Sequence, residues 1–243
     1  MYPKFVKTSN VERFLAAASS IEDTGAPEAC MMLCSGEPGF GKSAAGQWWA
    51  THNEAAFVRI KAATTPHWVL SDLITELGQQ PQHTCERMFL QAVTILVKEP
   101  RPLVFDEIEN AIHRDITAIE TIRDISDLVE VPVVLLGREF CEQKLKRHRQ
   151  IWSRISAHAA FAPATEKDVK LCVDELCEVE VAPEVIGEVL RQSEGRLRDV
   201  IKCLKSIERI GLRQKGQAVT VEDIAGRPLT PASPRRSANR KAA

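Results

Sequence analysis

Residues 36–43, GEPGFGKS, carry the pattern G-x-x-x-x-G-K-[ST]. In this pattern the glycines let backbone N–H groups turn onto a phosphate chain without Cβ clashes, and the helix that follows adds its partial positive charge. The context fits, because the apolar run CMMLCS precedes the loop and a helical stretch follows it. Gly36, Glu37, Pro38, Gly39, Phe40, Gly41, Lys42, Ser43 and Ala44 are the candidate phosphate-binding residues. Lys42 is expected to reach the β- and γ-phosphates of ATP, and the Ser43 hydroxyl to ligate Mg²⁺. A metal held from that side needs a carboxylate opposite. The run PLVFDE at 102–107 supplies two, at the end of an apolar strand. Asp106 is expected to hold Mg²⁺ through water, and Glu107 to polarise the water that attacks the γ-phosphate, since phosphoryl transfer is catalysed by positioning and electrostatics.

Short apolar runs near 30–35, 56–60, 102–106, 131–136 and 157–161 read as strands, and helical patterns fall between them. That alternation predicts a parallel sheet flanked by helices. Pro66 suits a first helical position for 66–77, where Val69, Leu70, Leu73, Ile74 and Leu77 form one stripe and Gly78 stops the helix. Residues 85–98 and the stripe Ile116, Ile119, Ile122, Ile125 and Val129 predict two more helices. After Pro163 the strands cease. Thr165 with Asp168 and Thr220 with Asp223 read as capping boxes, and 166–177, 183–193 and 196–212 as amphipathic helices. The expected organisation is an α/β domain at 1–163, a small helical lid at 164–225, and a disordered basic tail at 226–243.

Composition narrows the class. The chain has 243 residues, 44% apolar, and no apolar run approaching the roughly 18–20 residues of a membrane span. The opening MYPKFVKTSNVERF lacks a secretory-signal stretch, so a cytoplasmic protein with no membrane partner is expected. Seven cysteines without C-x-x-C spacing read as free thiols, mostly buried, rather than metal ligands. Net charge is −1, but its distribution is segregated: residues 106–130 are acidic, while 138–154 and the tail are basic. Segregation of this kind suits anionic partners and head-to-tail self-association.

With these motifs the sequence resembles the AAA+ ATPases, and among them the transposition regulators of the phage Mu B protein, TniB and TnsC type. The resemblance covers residues 1 to about 225 and rests on GEPGFGKS, LVFDEIE, VPVVLLGRE, SEGRLRDV and the run VRIKAATTPHWVLSDLITELG. It implies the P-loop NTPase fold with a helical lid, and hydrolysis of ATP to ADP and phosphate. It also implies that Arg198 is the lid arginine reaching the γ-phosphate. Arg154, in preference to Arg149, would be the finger offered to a neighbouring subunit, and residues 5–8 (FVKT) would lie beside the adenine base. The function implied is an ATPase that assembles as a ring or helical filament on double-stranded DNA, without sequence preference, and regulates a transposase. Lys61, Thr64 and Thr65 would then face DNA phosphates, the plain alternative being a solvated loop with Thr65 as an N-cap.

Two departures from the family pattern qualify that expectation. Leu136-Gly137-Arg138 stands where a neutral polar residue usually ends the fourth strand, which implies slow, partner-stimulated hydrolysis. Only about 29 residues precede the first strand, too few for the helix-turn-helix domain that Mu B protein carries. A helicase-loader-like or other remodelling ATPase, and a nucleotide-dependent binding switch with little turnover, are the alternative readings.

Overall fold

A computed structural model describes residues 1–22, 30–62, 64–113, 116–214 and 217–230. The chain folds as two compact units, Ser9–Ala162 and Met1–Thr8 with Pro163 onward.

The first unit is built on a five-stranded sheet of order β2-β3-β4-β1-β5, every pairing parallel. Its strands are β1 (Met31–Gly36), β2 (Ala56–Arg59), β3 (Leu103–Asp106), β4 (Val133–Gly137) and β5 (Ile155–Phe161). The three central strands are buried at every position, whereas the edge strands β2 and β5 alternate between covered and open residues. A strand covered on both faces is a continuous apolar run, and an edge strand keeps a period of two. The helices are α1 (Ser9–Glu22), α2 (Lys42–His52), α3 (Pro66–Glu76), α4 (Cys85–Lys98), α5 (Glu109–Ile112), α6 (Thr117–Val129), α7 (Phe140–Leu145) and α8 (Arg149–Trp152). Thr65 caps α3 by accepting from the Trp68 N–H at 3.4 Å, and Thr84 caps α4 in the same way. Leu70, Leu73, Ile74, Met88, Leu96, Phe105, Ile119 and Ile122 close the core between sheet and helices. On the other side Phe14 of α1 is fully buried, edge-on to Trp49 and Phe161.

The second unit holds α9 (Glu166–Leu176), α10 (Pro183–Ser193), α11 (Leu197–Gly211) and α12 (Val221–Ile224). Both expected capping boxes are formed, at Thr165/Asp168 and Thr220/Asp223. Two boundaries differ from the sequence reading. Residues 1–8 belong with the helices: Val6 is buried in their core, the Tyr2 N–H donates to Leu176 O, and the Met1 ammonium pairs with Glu178 and Glu208. The chain also stays ordered past Gly226, because Leu229 is buried in the same core. Its N–H donates to Gln192 Oε1 at 2.8 Å, and its carbonyl accepts from Ser206 Oγ at 3.0 Å. One apolar residue among prolines was enough to anchor a segment expected to bury nothing. The remainder of the expected tail, 231–243, lies outside the described residues.

Candidate active site

The parallel sheet ends all its strands on one edge, and the loop after β1 leaves from the centre of that edge. Gly39 and Gly41 have φ of 93° and 98°, left-handed conformations that suit glycine. Between them Phe40 is buried, and the Asn10 amide of α1 holds this corner, donating to the Phe40 carbonyl at 3.4 Å and to Ala162 O at 2.8 Å. Helix α2 starts at Lys42 and can approach the sheet closely because residue 46 is glycine; a Cβ there would collide with Leu136 of β4. The Lys42 ammonium curls back over the loop, donating to the carbonyls of Gly36 and Glu37 at 2.8 and 2.9 Å. Burial pushes its pKa below the usual lysine value, while the nearby carboxylates of Glu109 and Asp106 act in the opposite direction.

Asp106 ends β3 on the same edge and is 2% exposed. Its Oδ1 accepts from the Glu107 N–H at 2.9 Å. Glu107 itself adopts φ 60°, a strained conformation for a non-glycine residue, and projects into solvent. Two residues not singled out from sequence hold it. Arg59, the last residue of β2, is paired in register with Asp106. It lies 3.5 Å from Asp106 Oδ2 and 3.9 Å from Glu107 Oε1. The Asn110 amide donates to Glu107 Oε2 at 3.3 Å and to the carbonyl of Ile60 at 2.8 Å. Arg59 was legible in principle, because an arginine ending the strand beside an acidic strand end must face it in a parallel register. Asn110 gave no such signal.

The loop after β2 continues from this cluster. Lys61 is exposed and bound to Asp72 at 2.9 Å, Thr64 is half-buried, and Thr65 is spent on the α3 cap. The arginines lie elsewhere. Arg154 directly precedes β5, and its carbonyl accepts from the Met31 N–H, so it stands at the opposite edge of the sheet from the phosphate loop. The five steps along β1 from Met31 to Gly36, at about 3.3 Å each, separate the two by roughly 17 Å. Arg154 Nε donates to both oxygens of Asp127, at 2.8 and 3.1 Å. Arg149 opens α8 and is exposed, with no ion pair to another described residue. Arg198 is exposed in the first turn of α11, in the helical unit.

These residues fit a Mg²⁺–nucleotide. The loop has the glycine conformations of a phosphate cradle, a lysine turned into it and a serine next in sequence, and a buried carboxylate ends a strand on the same edge. Among the described residues no other group of His, Cys, Asp and Glu could hold a metal ion, and no helix is long and apolar enough to cross a membrane.

Comparison with known proteins agrees with this geometry. The family model of the AAA domain matches residues 27–145. No curated protein matches the sequence significantly. Among solved structures, the Aeropyrum pernix Orc1 protein in complex with DNA is similar at TM-score 0.62 and 16% identity, covering 92% of this chain and 65% of that one. Cdc6p from Pyrobaculum aerophilum gives 0.64 at 13% identity, covering 92% and 68%. The RuvB Holliday junction branch migration motor of Thermotoga maritima gives 0.54 at 18%, covering 90% and 68%. The chain thus spans slightly less than two thirds of the Orc1 chain, and at these identities the likeness establishes the fold. The five-stranded parallel sheet flanked by helices is thus the AAA+ P-loop NTPase fold of these structures, and residues 27–145 carry the likeness to the AAA domain.

Proposed function

We propose that this protein is an ATP-hydrolysing switch that assembles on double-stranded DNA, its nucleotide state deciding whether the assembly persists. The observation that carries the proposal is the position of Glu107. It is exposed at the phosphate-loop edge of the sheet and held by Arg59 and Asn110, and Asn110 also grips the backbone of the loop that bears Lys61, Thr64 and Thr65. A ligand bound to that loop therefore acts directly on the carboxylate that orients water.

In this reading Lys42 meets the β- and γ-phosphates, and Ser43 and Asp106 hold Mg²⁺. Bound there, the metal would supply positive charge that offsets the negative charge on the phosphate oxygens. Glu107 orients the attacking water and takes its proton. Arg59 competes for Glu107, so hydrolysis is slow until that contact is relaxed. Arg154 stands too far from its own phosphate loop to serve it and can serve only the site of a second copy, which links hydrolysis to head-to-tail assembly; Arg149, which opens the short helix before it, is the alternative.

The client is a finer question. The sequence resemblance supports a transposase. The likeness to the Orc1 protein in complex with DNA and to the RuvB branch migration motor supports a loader or remodeller instead. Both clients require the DNA-bound assembly. Electron microscopy with duplex DNA and a slowly hydrolysed ATP analogue tests it: ordered rings or filaments on DNA are expected, and a protein that stays monomeric with both ligands overturns the proposal. Which client accelerates phosphate release, a transposase or a helicase, then separates the two.

A further inference from the structure

Helices α4 and α6 run in the same direction, because each leads into one of two neighbouring parallel strands, β3 and β4. They pack side by side, and their ends are level: Lys98 and Leu128 each lie five residues ahead of the register pair Leu103–Val133. Leu90 and Val97 of α4 and Leu128 of α6 are 58%, 61% and 59% exposed. These are three of the seven large apolar side chains that stand open among the described residues, so apolar exposure is concentrated on this pair of helices. Leu90 and Val97 are about two helical turns apart and share one stripe. The half-buried Phe89, Val93 and Val129 carry the apolar surface down to the core.

Charge is divided across the same pair. Helix α4 carries Arg87 and Lys98 against Glu86, and neither base has an ion-pair partner among the described residues. Glu99, just beyond the helix, is taken by Arg101 at 3.1 Å. Helix α6 and its C-cap carry Glu120, Asp124, Asp127 and Glu130 against Arg123. Asp127 is engaged by Arg154, while Asp124 stays half-exposed beside Arg123. A basic helix thus lies beside an acidic one, with open apolar residues on both.

We infer that this face joins two copies of the chain about a two-fold axis parallel to the helices, so that α4 of each copy lies along α6 of the other. That rotation keeps the helix direction and exchanges left for right, which brings unlike charges together. An axis across the helices would set α4 on α4 and oppose like charges. With the helix ends level, Val97 meets Leu128 across the axis. Lys98 comes within about one turn of Asp124, and Arg87 within about one turn of Glu120. The contact is isologous and closes at two copies, unlike the head-to-tail assembly proposed above. It uses no residue of the phosphate loop, so it needs neither nucleotide nor DNA. Two helices of 14 and 13 residues offer a footprint of about 20 by 20 Å, at the small end for a specific interface, so the dimer is weak and favoured by high protein concentration. Its charged flanks make it sensitive to salt.

Sedimentation equilibrium of the full chain without nucleotide or DNA, at up to about 100 µM protein, tests the inference. A reversible monomer–dimer equilibrium that weakens with salt is expected. Val97→Glu and Leu128→Glu should each weaken it at least about tenfold, because every change acts twice in a two-fold dimer. Both sites are on the open surface, so thermal unfolding should stay as in wild type. Lys98→Glu and Asp124→Lys should each dimerise poorly alone. Mixed in equal amounts, those two proteins should associate again, because both contacts of the mixed pair join unlike charges. A wild type that is monomeric throughout overturns the inference, as does a dimer that survives Val97→Glu and Leu128→Glu, or a mixture that does not recover association. Association seen only with ATP and DNA also overturns it, and leaves the assembly proposed above standing.

Discussion

Two glycine-to-alanine substitutions, at positions 46 and 187, separate close packing from helix propensity. Both glycines are helical, Gly46 in α2 and Gly187 in α10. A Cβ at 187 meets nothing within 4 Å, whereas a Cβ at 46 would collide with Leu136 and reach Val104 Cγ1 at 3.5 Å. Alanine is favoured over glycine in a helix interior by about 1 kcal/mol, and that gain is common to both sites. Overpacking a closed core costs about 1–3 kcal/mol, and it applies only at 46, where the added Cβ would lie 2.4 Å from Cδ1 of the fully buried Leu136. Gly187→Ala should therefore stabilise the helical unit by nearly the full propensity gain. Gly46→Ala should be worse by about 1–3 kcal/mol, for a net effect from neutral to about 2 kcal/mol destabilising. At roughly 2–4 °C per kcal/mol, calorimetric unfolding should show the α/β transition lowered by up to about 8 °C. Because α2 begins at Lys42 and Ser43, any shift of the helix that relieves the collision also displaces the lysine, so ATP affinity should fall with stability. If Gly46→Ala is as stabilising as Gly187→Ala and binds ATP like wild type, α2 does not lie as close to β4 as described, and the geometry of the phosphate loop must be redrawn.

Other predictions rest on separate features. Arg154→Ala loses an ion pair that is about 30% exposed on both sides, so it should cost the monomer no more than about 1 kcal/mol. Its ATP binding should be normal, and any failure to assemble in sedimentation with ATP and DNA would identify the trans finger; a null result there with loss of assembly in Arg149→Ala would assign the role to Arg149. Burial raises the thiol pKa of Cys30 and Cys34 and pushes Cys141, Cys172, Cys177 and Cys203 up to about 12. Only Cys85 is exposed, so a thiol reagent near pH 8 should label one cysteine rapidly in the native protein and all seven after unfolding. Rapid native labelling of several thiols would contradict the packing of both units. Residues 231–243 carry Arg235, Arg236, Arg240 and Lys241 and no acid. Deleting them should weaken DNA binding and flatten its salt dependence, with ATP affinity unchanged; an unaltered salt slope would remove the tail from the DNA contact.

The central strands were legible because a strand covered on both faces has few alternatives to an unbroken apolar run, as in CMMLCS and LVFD. β5 was fainter, since an edge strand of alanine, serine and histidine carries only an alternating pattern. Helix α1 went unread because its buried positions, Val11, Phe14, Ala18 and Ile21, run through the stretch AAASS at 16–20, which gives little contrast. The candidate phosphate loop and the Asp106–Glu107 pair stood out because the chemistry proposed for them needs particular residue types close together in sequence. Arg59 was readable only by pairing two strand ends, and Asn110 gave no signal because its grip on the Ile60 carbonyl joins residues 50 positions apart. Register, unlike spacing, appears only once the strand order is known. Arg154 was read as available to a neighbour, and its hold on Asp127 is likewise a contact across 27 positions that no local pattern announces.

The central claim is that Glu107, held by Arg59 and Asn110 at the phosphate-loop edge, makes this domain a hydrolytic switch responsive to DNA. Phosphate release by wild type and Glu107→Gln, each measured with and without duplex DNA alongside ATP affinity, tests it most directly. The account predicts slow release by wild type that DNA accelerates, and a Glu107→Gln protein that binds ATP with unchanged affinity but releases no phosphate under either condition. Release by Glu107→Gln at the wild-type rate, with the same response to DNA, would contradict it.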